Sequence, residues 1–495
     1  MLSTILRETA ERLPDKTAFT FGKKNITYRQ LDQQANNIAS KLLELGLQPQ
    51  DRVGIYFGNC LDFVAVFFGV VRANGVAVPL NTAYKGEEIK SFIQDSDIKY
   101  FFTSQDCFPI IEEIMDVIPS VKHFIVAGGI KSNRIIPLEE MQDQESKPVN
   151  LDIKGNESCI CLYTSGTTGK AKGILYSNNN ALFILDCFNK RFPLRENDHA
   201  LCVIPLSHGF SLYFNILMPV SQGISTTIHP QFNPNAVLSE ITNKKISFLT
   251  AVPGMYAAML SVLDQTSDFD ISSLRICVTG GSALPREVYN AYLEKFGIDL
   301  TEGSGPSEAP TFMGIPGANK PGSVGKPLDG VTVKVVDNNN QEVPQGEIGE
   351  LCIKGPNVMQ GYHNMPEATA EVIRDGWYHT GDIGRIDEDG YVYLISRKKD
   401  MIIVGGLNVF PKEVEDCICN HPKVSEAAVI GIPDTIRGQI PKAFVVLKPG
   451  ENSDKKEIIL YCRKHLANHK CPREVVFVDS LPKNAMGKVD KTKLQ

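Results

Sequence analysis

The chain has 495 residues, 42% apolar and 22% charged, with a formal net charge of −6. That length predicts two or more domains with ample capacity for a core, and the balance is that of an ordinary globular protein, which excludes a strongly basic nucleic-acid binder. Charge is uneven: from Arg397 onward, 18 Lys and Arg face 12 Asp and Glu, a net +6 that leaves −12 on the preceding residues. A basic C-terminal region suits phosphates or an acidic partner, as well as it suits scattered surface lysines.

The N-terminus carries Arg7, Glu8, Glu11 and Arg12 and shows no signal-type apolar region. The longest clean apolar run, residues 63–71, falls short of the ~20 residues that span a bilayer. A cytoplasmic protein with no membrane span is expected. The twelve cysteines include no C-x-x-C pair. Cys159/Cys161 and Cys417/Cys419 alternate in regular segments and are expected as buried thiols rather than zinc ligands or disulfides.

Along the chain, apolar runs predict strands at 52–57, 76–80 and 100–103, separated by helices at 61–73 and 87–94. The alternation returns with strands at 200–204, 225–229, 246–252, 274–279 and around Leu300. Strands alternating with helical patterns imply βαβ units and parallel sheet. The expected fold is therefore α/β, a large N-terminal lobe of two stacked α/β subdomains, rather than one enormous sheet.

Between the two runs, a strand at 158–162 leads into Tyr163-Thr164-Ser165-Gly166-Thr167-Thr168-Gly169-Lys170-Ala171-Lys172-Gly173. Glycines let a backbone curl closely round a ligand, and amides, hydroxyls and ammonium groups donate to phosphate oxygens. The spacing is not that of a P-loop: two residues separate Gly166 from Gly169, and Ala171 follows Lys170. A generic Gly/Ser/Thr cluster is more often a surface turn. This order, however, resembles the phosphate-loop signature of the adenylate-forming superfamily, which includes acyl-CoA synthetases, peptide-synthetase adenylation domains and firefly luciferase. Further matches cover nearly the whole chain. Thr27-Tyr28-Arg29-Gln30-Leu31 and Val78-Pro79-Leu80-Asn81 resemble its scaffold segments.

The resemblance then implies roles in chain order. Pro205-Leu206-Ser207-His208-Gly209-Phe210 follows a strand, where α/β folds place ligands; His208 would border the carboxylate to be activated, although an isolated histidine there reads as a buried one. The segment 210–220 reads equally as acyl-pocket lining or as a buried helix. Thr279-Gly280-Gly281-Ser282-Ala283-Leu284-Pro285 would border adenine and acyl chain. Phe183, His208, Phe210, Phe214, Val252 and Gly280 are the acyl-pocket candidates. Thr301-Glu302-Gly303-Ser304-Gly305-Pro306-Ser307-Glu308 matches the family pattern ending in Thr-Glu, with Ser307 and Glu308 set to hold Mg²⁺ against the phosphates. Ser304 departs from it: most relatives place a tyrosine there, stacked on adenine, so weaker ATP binding is expected.

Lys320-Pro321-Gly322-Ser323-Val324-Gly325 and Gly346-Glu347-Ile348-Gly349-Glu350-Leu351 resemble scaffold of a β-rich subdomain. In Trp377-Tyr378-His379-Thr380-Gly381-Asp382, the Asp382 carboxylate can accept two hydrogen bonds at once, the geometry of vicinal ribose hydroxyls. Asp389-Gly390 predicts a hairpin turn. After it, Ser396-Arg397-Lys398-Lys399-Asp400 resembles the junction of two lobes, with Arg397 on the nucleotide and Lys399 as pivot. Gly405-Gly406 would border a pantetheine tunnel. The last hundred residues predict a small mobile α+β lobe, with helices at 411–419 and 455–467 and strands at 427–432, 443–447 and 475–478. Leu481-Pro482-Lys483-Asn484-Ala485-Met486-Gly487-Lys488 matches the terminal family pattern, placing Lys488 as the catalytic lysine.

The implied organisation is an adenylation domain at 1–396, a hinge at 397–400 and a C-terminal domain at 401–495. The implied reaction is ATP-dependent activation of a fatty or other apolar acid, with Mg²⁺, followed by transfer to coenzyme A. ATP would be held by Thr164, Ser165, Gly166, Thr167, Thr168, Lys172, Gly281, Ser282, Glu302, Gly303, Ser304, Ser307, Asp382, Arg397 and Lys488. Three alternatives stand beside it: transfer to the phosphopantetheine arm of an acyl carrier protein, an inactive binding homologue, and the rarer luciferase-type oxygenation. Retention of Glu308, Asp382, Arg397 and Lys488 together argues against the inactive form. No Arg or Lys in the acyl-site motifs is placed to pair with a second carboxylate, which disfavours a diacid. A monomer or homodimer without nucleic-acid partners is expected.

Overall fold

The computed structural model describes residues 1–130, 132–143, 146–164, 172–483 and 489–494. The chain divides into two compact units, Met1–Thr332 with Ile353–Tyr378 and Val333–Cys352 with His379–Gln495.

In the first unit the described strands form two large sheets. One holds, in spatial order, Lys326–Pro327, Phe312–Met313, Leu300–Ser304, Ile276–Gly280, Phe248–Ala251, His199–Cys202, Ser225–Ile228, Thr17–Phe21 and Lys24–Thr27. Neighbours from Leu300–Ser304 across to Thr17–Phe21 pair in parallel, and antiparallel strands finish both edges. The other runs Gly361–Tyr362, Lys172–Ser177, Ser158–Thr164, Val76–Pro79, Arg52–Tyr56, Tyr100–Ser104, His123–Ala127 and Ile135–Pro137. It is parallel from Ser158–Thr164 onward and antiparallel at the Lys172–Ser177 edge. Parallel strands need both faces covered, which explains the continuous apolar runs at 52–57, 76–80 and 246–252.

The helix Leu61–Arg72 is apolar all round because it is a core element, with every residue from Phe63 to Arg72 buried. The Thr27–Leu31 segment is scaffold in a specific sense. Thr27 Oγ1 accepts from the Gln30 amide at 3.2 Å and Gln30 Oε1 accepts from the Thr27 amide at 2.9 Å, a capping box that starts the helix Tyr28–Glu44. Segment 210–220 is fully helical but not uniformly so: a π-helical turn, Leu212–Leu217, sits between the turn Gly209–Ser211 and the helix Met218–Gln222. Such turns recur at functional sites.

In the second unit most of the strand pairs are antiparallel. Trp377–Ile386 and Val392–Arg397 form a hairpin across the Asp389-Gly390 turn, with Asp382 opposite Arg397. The C-terminal sheet runs Leu407–Val409, Ile402–Val404, Gly438–Leu447 and Val424–Asp434, with Glu474–Phe477 parallel to Gly438–Leu447. Helices Pro411–Cys419 and Lys455–His465 close its core through Val414, Ile418, Ile458 and Cys462.

All twelve cysteines are free thiols. Cys159, Cys161 and Cys417 are buried, but Cys419 is exposed and corrects the expectation for that pair. Residues 411–419 are helical, so two positions apart means a rotation of about 200°, which turns Cys419 away from the face that buries Cys417. No helix among the described residues is long and apolar enough to cross a membrane.

Candidate active site

The loop 163–173 leaves and rejoins one antiparallel pair, in which Thr164 faces Lys172 and Tyr163 faces Gly173. Thr164 and Lys172 are thus the two feet of the loop; Ser165, Gly166, Thr167 and Thr168 lie outside the described residues. The feet are braced. Tyr163 donates to Asp95 Oδ2 at 2.6 Å and its ring packs on Phe92 at 4.8 Å. The Gly173 carbonyl accepts from the His363 amide at 2.7 Å. Burial, with Cys161 and the Asp95 bond adding, pushes the Tyr163 phenol far above its ordinary pKa, so it remains a donor.

At the free edge beside this pair, Gly361–Tyr362 adds itself antiparallel to Lys172–Ser177, with Tyr362 opposite Ile174. The Lys172 ammonium stands 4.6 Å from the centre of the Tyr362 ring. The Tyr362 hydroxyl donates to Glu308 Oε1 at 2.8 Å. Glu308 is half-buried, its carbonyl accepting from the Met359 amide at 2.8 Å, and the Ser307 carbonyl accepts from the Tyr176 hydroxyl. Burial first, then the Glu308 charge, raises the Tyr362 pKa far above that of a free phenol. Sequence reasoning missed Tyr362. A two-residue strand has no periodicity to read.

A second cluster forms where Ile276–Gly280 and Leu300–Ser304 run in parallel, with Gly280 opposite Gly303. A Cβ at Gly280 would lie 2.8 Å from the Gly303 carbonyl oxygen and 3.8 Å from Phe210 Cζ, so no side chain fits there. At Gly281, whose φ is +86°, a Cβ would stand 3.7 Å from Val252 Cγ1. The fold therefore brings Gly280, Gly281, Gly303, Phe210 and Val252 together. Ser282 is exposed beside them, Glu302 accepts from the Leu284 amide at 3.3 Å, and Ser304 faces Phe312 in the ladder.

His208 caps the turn that follows it, Nδ1 accepting from the Phe210 amide at 3.2 Å. Buried Asn59 holds the approach: its side chain donates to the Ile204 carbonyl at 3.1 Å and accepts from the Leu206 amide at 2.8 Å. Phe210 is half-buried, whereas Phe214 behind it is 1% exposed. Their rings meet edge to face at 5.1 Å, and Phe188 and Phe192 pack on Phe214 at 4.7 and 5.8 Å. Phe210 therefore offers the ring surface and Phe214 supports it.

The second unit contains Asp382, Arg397, Lys399, Gly405 and Gly406; Lys488 lies outside the described residues. Asp382 is 6% exposed and pairs with Arg397 Nε at 2.6 Å. Its amide donates to Thr380 Oγ1 at 2.9 Å, which donates to the Leu351 carbonyl at 2.7 Å. Buried Glu350, read from sequence only as scaffold, gathers this segment: it accepts from the Gly381 amide at 3.2 Å and from Lys398 Nζ at 2.8 Å, with His379 Nδ1 at 3.8 Å. Desolvation, with Arg397 and Lys491 adding, lowers the Lys399 pKa against the opposing pull of Asp400. Gly405 and Gly406, at φ +57° and +82°, form the two-residue turn between Val404 and Leu407. That turn demands positive φ at both positions, a backbone reason for both glycines.

Two family models match: residues 6–363 fit AMP-binding enzyme and residues 413–488 fit AMP-binding enzyme C-terminal domain. Long-chain-fatty-acid–CoA ligase of Bacillus subtilis (strain 168) is 33% identical, over 100% of this chain and 94% of that protein. The anthranilate CoA ligase AuaEII, solved with anthranoyl-AMP, is similar with a TM-score of 0.90 and 32% identity, covering 100% of this chain and 96% of that one. ATP-bound MatB from Rhodopseudomonas palustris gives a TM-score of 0.92 at 31% identity, with 100% and 98% covered. Fold and matched sequence together define an adenylate-forming enzyme, an acid–thiol ligase of the AMP-forming kind. The chain belongs to the AMP-binding enzyme family.

Proposed function

We propose that the chain activates a fatty or other apolar carboxylic acid as its acyl-adenylate and transfers the acyl group to the thiol of coenzyme A. The supporting observation is the placement of the Lys172 ammonium and the Glu308 carboxylate on one tyrosine, at the foot of a loop whose composition suits phosphate. Phe210 and Val252 against the Gly280–Gly281 backbone favour an apolar acyl group.

A carboxylate is a poor acyl donor because oxide would have to leave. Its oxygen attacks the α-phosphorus of ATP, the bond to the pyrophosphate oxygen breaks, and the mixed anhydride that forms has AMP as a good leaving group. Two anions must meet, so the protein's work is positioning and charge neutralisation. In this reading Lys488 bridges carboxylate and α-phosphate as charge builds. Loop residues 164–168 and Lys172 hold the pyrophosphate end, Asp382 accepts from the ribose hydroxyls, and Arg397 contacts the nucleotide. His208 borders the acid carboxylate. Gly281, Ser282, Glu302, Gly303 and Ser304 line the adenine side. In the second step the CoA sulfur attacks the acyl carbon and AMP departs, with Lys399 as pivot and Gly405–Gly406 beside the thiol's path.

Glu308, with Ser307, would hold Mg²⁺, which supplies neutralisation of phosphate charge. The donor chemistry fits: Glu308 offers one half-buried carboxylate, of which Oε1 accepts from Tyr362. A single carboxylate completed by phosphate oxygens and water is the set that Mg²⁺ commonly takes.

The test is pyrophosphate release across aliphatic and aromatic acids, with CoA and carrier proteins compared as acceptors. Release with apolar acids and thioester formation on CoA are expected. No release with any acid would end the ligase reading. Thioester on a carrier protein but not on CoA would move the acceptor to the phosphopantetheine arm, which the net +6 from Arg397 onward suits equally.

A further inference from the structure

We propose that Tyr362 is the positioning residue that joins the two halves of the phosphate site, its ring seating Lys172 and its hydroxyl aiming Glu308. The inference rests on the adenylation reading and adds a residue to it.

Three separate segments meet at this side chain. Lys172 comes from the foot of the loop, Glu308 from beyond the strand Leu300–Ser304, and Tyr362 from a two-residue edge strand added later in the chain. The ammonium lies 4.6 Å from the ring centroid, within the range where an aromatic face attracts a cation. The hydroxyl is 2.8 Å from Glu308 Oε1, a neutral donor on a charged acceptor. Tyr378, 3% exposed, lies beside the phenol and pulls its pKa down against the larger raising effects of burial and Glu308.

The geometry separates two tasks. Committing one Glu308 oxygen to the phenol restrains the carboxylate and would leave the second oxygen for a metal. Seating the ammonium on the ring holds Lys172 without neutralising it, so its charge remains for a phosphate. A carboxylate held by a second cation would have lost the charge that a metal needs; a neutral phenol leaves it intact. Tyr362 itself need touch neither nucleotide nor acid.

The two tasks predict a split between two variants. Tyr362→Phe keeps the ring and loses the hydroxyl; Tyr362→Leu loses both. The measurement is the ATP dissociation constant by calorimetry, in Mg²⁺ and again in EDTA, with no acid present. For Tyr362→Phe, ATP binding in Mg²⁺ should weaken about tenfold while binding in EDTA stays unchanged, the loss of one hydrogen bond to a charged group. For Tyr362→Leu, binding should weaken in both. A purely structural tyrosine would leave Tyr362→Phe like wild type or weaken it equally with and without Mg²⁺, and either result overturns the proposal. Indistinguishable variants would also overturn it, because the ring would then do nothing for Lys172. Since no acid is needed, failure here leaves pyrophosphate release by the wild type untouched, whereas absence of that release strikes the ligase reading instead.

Discussion

The chain holds two carboxylates in contrasting company, one half-buried and one buried. Glu308, in the first unit, accepts from the neutral hydroxyl of Tyr362 at 2.8 Å. Asp382, in the second, is paired with the Arg397 guanidinium at 2.6 Å. A phenol orients a carboxylate but leaves its charge, which suits a partner that is itself a cation. A guanidinium offsets the charge and leaves oxygen lone pairs, which suits neutral hydroxyl donors. Equal chemistry in the side chains therefore becomes unequal chemistry in the sites, through the partner alone.

Substitutions should separate the two carboxylates in graded steps. The largest loss is expected at neither carboxylate but at the lysine between carboxylate and phosphate charge in the proposed first step. Lys488→Ala should lower acyl-AMP formation by about 10²–10³-fold, the scale of removing one transition-state charge partner. Thioester formation from supplied acyl-AMP should persist; equal loss of both steps would show that the lysine does not serve the first step alone. Next is Glu308→Gln, which keeps the acceptor for Tyr362 and removes the charge. It should cut kcat for pyrophosphate release by about 100-fold and flatten the Mg²⁺ dependence. Asp382→Asn, equally isosteric, should instead raise the ATP KM by about tenfold with kcat little changed. If the two isosteric variants behaved alike, partner identity would not be what separates the sites. Ser304→Tyr should give the smallest effect and the only gain, an ATP KM lowered about fivefold, since stacking on a base contributes ~1 kcal/mol or more. An unchanged or raised KM would count against stacking at that position.

What could be read from the sequence follows the physics of each signal. The parallel strands announce themselves because burial on both faces enforces apolar runs, so 52–57 and 76–80 fall within a residue or two of Arg52–Tyr56 and Val76–Pro79. The helix Pro411–Cys419 carries proline at its first turn and matches the expected bounds. Asp382 stood out because Thr-Gly-Asp is a dense local motif. Tyr362 and Glu350 did not, since each acquires its role from a residue far along the chain: Glu308 lies 54 positions before Tyr362, and Lys398 lies 48 after Glu350. The π-helical turn at Leu212–Leu217 was equally hidden, because an all-apolar run looks the same at either pitch.

The two-residue strand Gly361–Tyr362 has a temporal consequence as well. It closes onto Lys172–Ser177, so an edge of the hairpin that carries the loop is completed by residues nearly two hundred positions downstream. A ribosome delivers the chain from its N-terminus at about 5–20 residues per second, so that edge stays open for roughly ten seconds or more of synthesis. A nascent chain stopped before residue 361 would have both sheets begun, yet would still lack the contact between Tyr362 and the lysine at the foot of the loop. Assembly of the proposed nucleotide site is thereby deferred until most of the polypeptide has emerged.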